Sequence, residues 1–350
     1  MKTNDYILSK YINILSEYYT KDVIDNLIGR WNEPHRFWHN IKHLLFLLRK
    51  IDEYFLLDEN VELYMTDTYK NFILAAFWHD AIYDPRALDN EEKSIKLFYD
   101  SWTVNNKLTT EIVKTVIGMI RCTSERTLPI DSEEKTFWLF DNDILFNGSN
   151  TDLIDYENKI FREFQFASYE IYKAKRIEFL KEAITYFESI NIDTNLAYLI
   201  PYIKNRKIRV GIYSGSFNPF HLGHLDVLQK ASLVFDKVIV AYGNNPEKTT
   251  RTVDVPTTLN TFQVDTYIGL VTDYITSVEN DKVDVTLVRG LRNGDDLDYE
   301  SNQLSFIQDI KPDVKVVYIP CDKKYEHISS SAIRNLEKFD KNLATKYLVK

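Results

Sequence analysis

GIYSGSFNPFHLGHLDVLQKA, residues 211–231, is the stretch on which the fold of this chain turns. It opens on a β-rich run ending at Tyr213, crosses a turn-forming SGSFNP, and becomes helix-like from Leu222. A strand, a tight turn and a helix start in that order aim backbone N–H groups and the positive end of a helix at one place, which suits a phosphate. His221 and His224 stand three apart at the helix start, so their rings share one side of the first turn. An imidazole donates hydrogen bonds to phosphate oxygens without any metal. The plainer reading of the segment is a strand–turn–helix with two incidental histidines.

Working outward, short β-rich runs recur at Arg209–Tyr213, Lys237–Tyr242, Val283–Val288 and Val314–Ile319, with helix-like sequence between some of them, notably Leu222–Phe235. Strands alternating with helices predict a parallel sheet with crossovers over residues 208–350. Residues 1–200 follow another pattern. Apolar positions recur at three and four, as in Leu8, Tyr11, Ile12 and Leu15, and again in Ile41, Leu44, Leu47, Leu48 and Ile51, which predicts helices. Pro201–Lys207 reads as a short polar connection between the two parts. A chain of 350 residues suits two domains.

Composition narrows the function classes. The net charge of −9 lends no support to a nucleic-acid partner. Cys122 and Cys321 have neither metal spacing nor a disulfide pattern and read as ordinary thiols in a reducing compartment. The N-terminus lacks an apolar signal core, and no apolar run approaches the ~20 residues of a membrane span. The expectation is a cytoplasmic protein without a membrane or nucleic-acid partner.

Further motifs follow the first in order. Val288-Arg289-Gly290-Leu291-Arg292 precedes Asp296, Leu297, Asp298, Tyr299 and Glu300, and Ile328-Ser329-Ser330-Ser331-Ala332-Ile333-Arg334 closes the set. With the histidine pair they resemble the HxGH nucleotidyltransferases, and bacterial phosphopantetheine adenylyltransferase in particular. Lys248 matches that family's loop lysine, and Gly269-Leu270-Val271 resembles its GL motif. The resemblance covers about 140 residues and implies a Rossmann-like α/β fold and transfer of AMP from Mg²⁺-bound ATP to 4′-phosphopantetheine. By it, His224 and Ser216 contact the α-phosphate, and Lys248 and Arg289 hold the acceptor phosphate. Arg292 and Ser329, Ser330 and Ser331 hold the β- and γ-phosphates, Glu300 places the nucleotide, and Gly215, Phe217, His221 and Arg334 complete the binding surface. This chain carries Ser216 and Asn218 where the family usually has Thr and Asp, and its segment between Lys248 and Tyr267 is shorter. GSFNPFHLGH also resembles nicotinamide mononucleotide adenylyltransferases, so that acceptor, a cytidylyltransferase activity and a non-catalytic nucleotide sensor stand as alternatives.

The first 200 residues carry a second constellation: His35, His39, His43, His79, Asp80, Asp141 and Asp143. The i, i+4 spacing puts His39 and His43 on one helix face. His79-Asp80 closes the apolar run FILAAFWHD, and imidazoles with carboxylates suit Mn²⁺, Fe²⁺ or Zn²⁺. A helical bundle with scattered histidines is the plainer alternative. PHRFWH with His43, FWHDAIYDP, NEEKS, FDNDILFNG and Tyr156 with FREF resemble one branch of the all-α HD-domain metal-dependent phosphohydrolases. That resemblance implies His43, His79, Asp80 and Asp143 as ligands, with Asp141 the alternative to Asp143. It puts Arg36 and His39 near a substrate phosphate or behind the ligands, and Glu92 where it orients or deprotonates the attacking water. A Thr-x-x-His frequent in the branch is here Thr123-Ser124-Glu125-Arg126. The joint expectation is a bifunctional enzyme using ATP and a small phosphorylated acceptor, with homo-oligomer formation open.

Overall fold

The computed structural model describes residues 2–56, 66–105, 107–124, 129, 131–244 and 255–349. It divides into two compact units, residues 1–163 with 180–199, and residues 164–179 with 200–350. In the first, the helices are α1 (Lys2–Ser16), α2 (Lys21–Trp31), α3 (Ile41–Leu56), α4 (Asp67–Trp78), α5 (Asn90–Asn105), α6 (Thr110–Cys122), α7 (Ser132–Asp141), α8 (Asp143–Asn147) and α9 (Asn150–Glu163). The following helix, α10 (Tyr169–Ser189), spans residues of both units.

Helix α4 sits at the centre of the first unit for a reason its sequence supplies. Thr66 caps it by accepting the Tyr69 N–H, and Tyr69 and residues 71–78 are all buried. A helix that is apolar all round has no face to give to water and becomes core. Its C-terminal end therefore delivers His79, as C-cap, to the interior. The expected helical register holds: Leu8, Tyr11, Leu15, Leu44, Leu47, Leu48 and Ile51 are buried. One expectation is corrected. His39 and His43 do not share a helix, because α3 begins at Ile41; Glu163 holds the chain before it in a different conformation, described below.

The second unit continues with α11 (Leu199–Asn205), β1 (Ile208–Gly215), α12 (Leu222–Val234), β2 (Lys237–Asn244), β3 (Gln263–Ile268), α13 (Val271–Val278), β4 (Val283–Leu291), α14 (Gly294–Ile310), β5 (Val316–Pro320), α15 (Ser330–Glu337) and α16 (Lys341–Thr345). The expected polar connection at residues 201–207 is thus largely helical; Pro201 lies in the first turn of α11, where its missing N–H leaves no intrahelical bond unmade. The five strands form one parallel sheet in the order β3-β2-β1-β4-β5. β1 is buried at nearly every position, as a central parallel strand covered on both faces must be. Strand β3 escaped the sequence reading because QVDTYI is an edge strand with no fully buried position and half its residues polar.

Residues 164–179 belong to this second unit through two anchors. The ammonium of Lys237, buried at the start of β2, donates to the carbonyls of Gln165 and Ala167. The Tyr169 hydroxyl reaches the carbonyls of Ile203 and Arg206, each at 3.4 Å. Burial pushes the pKa of Lys237 down to about 7, against the attraction of Asp265.

Candidate functional sites

From β1 the chain proceeds to β2 and β3 on one side of the sheet, and β4 and β5 fill the other, so the topological switch lies between β1 and β4. Ligands of open α/β sheets bind outside the strand C-termini at such a point. A cavity of about 300 Å³ lies there, lined by Tyr213, His221, His224, Gly290, Arg292, Glu300, Ser329 and Ser330 among others.

The two histidines at its floor constrain each other. His221 is the N-cap of α12; its Nδ1 accepts the His224 N–H at 3.4 Å, and His224 Nδ1 accepts the His221 N–H at 3.3 Å. A ring nitrogen that accepts carries no proton, so both rings keep theirs on Nε2. The rings stack with centroids 3.5 Å apart. Gly223 makes room for this, since a Cβ there would lie 3.2 Å from the His221 ring. Phe217 and Phe220 close on His224 with centroid distances of 5.0 and 5.3 Å. Burial first, then the Arg292 guanidinium, lowers the His221 pKa to about 4. Burial, then His221 and Arg292, hold His224 well below the ordinary imidazole value. The result is two neutral Nε2–H donors beside a cation.

This refines the expected backbone cradle. The Leu222 N–H is taken by the Tyr347 carbonyl at 3.0 Å, and the His224 N–H by His221. Ser216 stands exposed on the turn after Gly215. The turn is tightly wound: Phe217 has φ +40°, a left-handed conformation unusual for a bulky residue, and its ring sits where a Gly215 Cβ would come within 2.8 Å.

The arginines approach from β4. Arg289 Nε lies 3.2 Å from Glu300 Oε2, and its Nη1 donates to the Ser214 carbonyl at 3.2 Å. Burial raises the Glu300 pKa, with Arg289 opposing. Arg292 donates from Nε and Nη2 to Asp296 at 2.8 and 2.7 Å. Those hydrogen bonds hold the Asp296 pKa below its ordinary value. Ser329 caps α15 by accepting the Ala332 N–H at 3.1 Å, and Ser330 donates to the Pro219 carbonyl at 2.9 Å. Arg334 donates to Ser331 Oγ within α15 and to the Asn218 carbonyl, which with the Ser330 bond fastens α15 to the turn after β1. Lys248 lies outside the described residues.

The first unit holds a cluster of opposite character. His43 Nε2 lies 3.0 Å from Asp141 Oδ1, and His79 Nε2 lies 3.4 Å from the same oxygen and 3.3 Å from Asp80 Oδ2. Asp141 therefore takes the place expected of Asp143, whose Oδ1 is 3.0 Å from Lys50 Nζ. The interruption of the helix at Asn142 decides this: Asp141 ends α7 and Asp143 begins α8. His79 Nδ1 donates to the Ala76 carbonyl at 3.0 Å, which turns the buried Nε2 toward two carboxylates without a well-aligned hydrogen bond to either. An imidazole nitrogen among carboxylates holds a cation, a proton or in its place a metal ion. Burial lowers the His79 pKa, yet Asp80 and Asp141 overcome it and raise it well above the ordinary value. Ligand atoms of His43, His79 and Asp141 lie within 4.8 Å of one another, so one divalent ion fits the donor set.

Glu163 is the residue the sequence reading missed. It is 1% exposed. Its Oε1 accepts the N–H groups of Phe37, Trp38 and His39 at 2.7, 2.7 and 2.9 Å. Its Oε2 takes the Tyr83 hydroxyl and His39 Nδ1, each at 2.7 Å. Burial pushes its pKa up, but His39 and these hydrogen bonds hold it below the usual value. Arg36 is also buried and donates to the carbonyl of Asp80 at 2.6 Å, placing it behind the cluster. Glu92 instead has an exposed carboxylate 3.1 Å from Arg121 Nε.

Fold and site define the second unit as a nucleotidyltransferase-like domain, and the cytidylyltransferase-like family model matches residues 212–336. The phosphopantetheine adenylyltransferase of Alkaliphilus metalliredigens (strain QYMF) is 30% identical over 141 residues, 38% of this chain and 87% of that protein. That of Streptococcus sanguinis (strain SK36) is 33% identical over 154 residues, 39% of this chain and 87% of that protein. Through this domain the chain belongs to the phosphopantetheine adenylyltransferase family.

Proposed function

We propose that the C-terminal domain, residues 208–350, transfers an adenylyl group from ATP to 4′-phosphopantetheine, giving dephospho-coenzyme A and pyrophosphate. The observation that carries this reading is the pair of neutral Nε2–H donors of His221 and His224 set beside Arg292 at the β1–β4 switch. ATP enters as its Mg²⁺ complex. An oxygen of the acceptor phosphate bonds to the α-phosphorus while the α–β bridging bond breaks and pyrophosphate leaves with that electron pair. Both reactants are anionic, so the site works by orientation and by donors aimed at developing charge. His224 and Ser216 donate to the α-phosphate oxygens. Arg289 and Lys248 offset the acceptor phosphate, and Arg292, Ser329 and Ser330 meet the β- and γ-phosphates, with Asp296 sharing Arg292. Neutral imidazoles suit this work, because they need not give up a proton to keep donating.

The test uses the full chain with ATP, Mg²⁺ and 4′-phosphopantetheine, reading pyrophosphate and dephospho-coenzyme A together. One product per pyrophosphate is expected, and His224→Ala should lower kcat by about 10²–10³. Release with nicotinamide mononucleotide, or with CTP and a polyol phosphate, but none with 4′-phosphopantetheine would sink the acceptor assignment.

A second reading belongs to the N-terminal domain, residues 1–200, and rests on the buried His79 Nε2 set among carboxylates. We infer that it is an HD-type metal-dependent phosphohydrolase acting on a small phosphorylated molecule. His43, His79, Asp80 and Asp141 would hold the ion, here Mn²⁺, Fe²⁺ or Zn²⁺, and Arg36 and Glu163 fix the backbone that carries the ligands. A divalent ion supplies Lewis-acid polarisation of a phosphoryl oxygen. Metal-stimulated hydrolysis of p-nitrophenyl phosphate that disappears in His79→Ala and Asp80→Ala is the expected result, and hydrolysis unchanged in both would remove the hypothesis.

A further inference from the structure

The nucleotide cavity occupies the β1–β4 side of the sheet, bounded by α12, α14 and the start of α15. In-line displacement puts the attacking and leaving oxygens on opposite sides of the α-phosphorus. With pyrophosphate on the Arg292 and Ser329 side, the acceptor comes from across β1, over the C-terminal ends of β2 and β3. Among the described residues there, one aromatic side chain crosses from strand to strand. Tyr267, on the edge strand β3, pairs in register with Gly243 of β2. Its hydroxyl reaches across to Ser214 Oγ of β1 at 2.7 Å.

Gly243 leaves room for the crossing. A Cβ at that position would come within 2.8 Å of the Tyr267 hydroxyl and 3.1 Å of Cζ, so a side chain there would push the ring aside. On its other side the ring stacks on Tyr274, centroids 5.1 Å apart and planes 13° from parallel. Tyr274 in turn donates to Asp265 at 2.5 Å, and Gln263 donates to the same oxygen at 2.8 Å. Tyr267 is therefore held from both sides. The Ser214 it touches gives its carbonyl to Arg289. One rigid aromatic plate thus ties together the ends of β3, β2 and β1 beside the Gly215–Ser216 turn.

We propose that Tyr267 is the specificity-determining residue of the acceptor side, filling the space over Gly243 so that a phosphate monoester on a slender, unbranched arm fits and one on a ribose-and-ring body does not. The inference rests on the adenylyl-transfer reading above and adds a reason for its acceptor. Among the described residues Tyr267 touches Ser214 and Tyr274, neither of which lines the nucleotide cavity, so it acts on acceptor choice and leaves ATP handling alone.

The test compares the full-length wild type with Tyr267→Ala, Tyr267→Phe, Gly243→Ala and the double variant Tyr267→Ala/Gly243→Ala. The kcat/KM for 4′-phosphopantetheine and for nicotinamide mononucleotide is measured with ATP saturating, and the KM for ATP separately. Truncating the plate should shift the ratio of the two acceptors toward nicotinamide mononucleotide by about tenfold or more, the scale at which pocket shape discriminates. Gly243→Ala, by displacing the ring, should shift it the same way, and the double variant should be no worse than Tyr267→Ala. Tyr267→Phe keeps the plate and should stay near the wild-type ratio, which also shows that the position tolerates substitution. An acceptor ratio in Tyr267→Ala within twofold of wild type, or a KM for ATP that rises as much as the acceptor KM, overturns the proposal. A wild-type chain that releases no pyrophosphate with either acceptor sinks the transfer reading on which it rests, a different outcome from an active wild type with an indifferent Tyr267.

Discussion

The two units use histidine in opposite ways. In the first, His79 sits between Asp80 and Asp141, which raise its pKa well above the ordinary value despite burial. In the second, His221 and His224 are buried beside Arg292 and lie below it. Desolvation acts in the same direction on all three rings; the neighbouring charge decides the outcome. A carboxylate-lined imidazole makes a place for a cation. A guanidinium-flanked imidazole makes a place for an anion and stays neutral while holding it. The residue type is shared, and the surroundings assign the chemistry.

The contrast can be attacked first at its foundation in the first unit. Glu163→Gln replaces an acceptor of five hydrogen bonds with a group whose amide hydrogens would face donors. Breaking a buried charged arrangement of this kind costs about 3–5 kcal/mol. All five tryptophans lie before residue 164, so tryptophan fluorescence in urea reads this unit alone. The expected result is a lowered fluorescence midpoint, with the tryptophan-silent transition of the second unit unmoved. A fluorescence midpoint equal to wild type would show that Glu163 does not organise the His39 approach.

Next comes the cation itself. Asp141→Asn should weaken Mn²⁺ binding by about 10²-fold or more, given that residues merely supporting ligands cost 10–100-fold. Asp143→Asn should leave it within about twofold, since Asp143 pairs with Lys50. Competition against a chromogenic chelator separates the two, and equal losses would return Asp143 to the ligand set.

The halves also differ in how far their sequence disclosed them. The phosphate turn is local: strand end, glycine, histidines and helix start fall within residues 211–231, so neighbours in sequence are neighbours in space. The histidine–carboxylate cluster is assembled from α3, the end of α4 and α7, and which of Asp141 and Asp143 joins it depends on where one helix stops. Glu163 was illegible for the same reason. Within FREF nothing local assigns Glu163 a partner, and only closure over more than a hundred residues brings it to Phe37, Trp38 and His39. Tyr267 lay hidden in an edge strand too polar to register as one.

Lys237 extends the contrast to a buried charge that is structural. Lys237→Met would leave the carbonyls of Gln165 and Ala167 without their donor and should cost the second unit about 1–3 kcal/mol. The loss should appear in the tryptophan-silent transition followed by circular dichroism. Stability equal to wild type would mean that residues 164–167 are held by other contacts.

The smallest effect tests the neutral histidines directly. The His221 pKa is about 4 in the folded chain, against roughly 6.5 for a free imidazole. Between those values the unfolded chain binds more protons, so His221 contributes stability that is fully present above pH ~6.5 and lost as pH falls through the folded value. From pH 7 to pH 5 the second unit should lose on the order of 1–2 kcal/mol from this group, read by circular dichroism in urea. His221→Gln should flatten that part of the slope while His224, displaced in the same direction, retains its share. In the first unit the sign reverses. His79 is raised, so without metal its contribution is present at low pH and lost as pH rises through its folded value. Saturating Mn²⁺ would replace that proton and invert the dependence, because the ion then competes with protons for the same Nε2. Adding Mn²⁺ should therefore change the pH slope of the fluorescence transition and leave the tryptophan-silent slope as it was. A matching change in both would mean that the two histidine sites do not answer to separate charges.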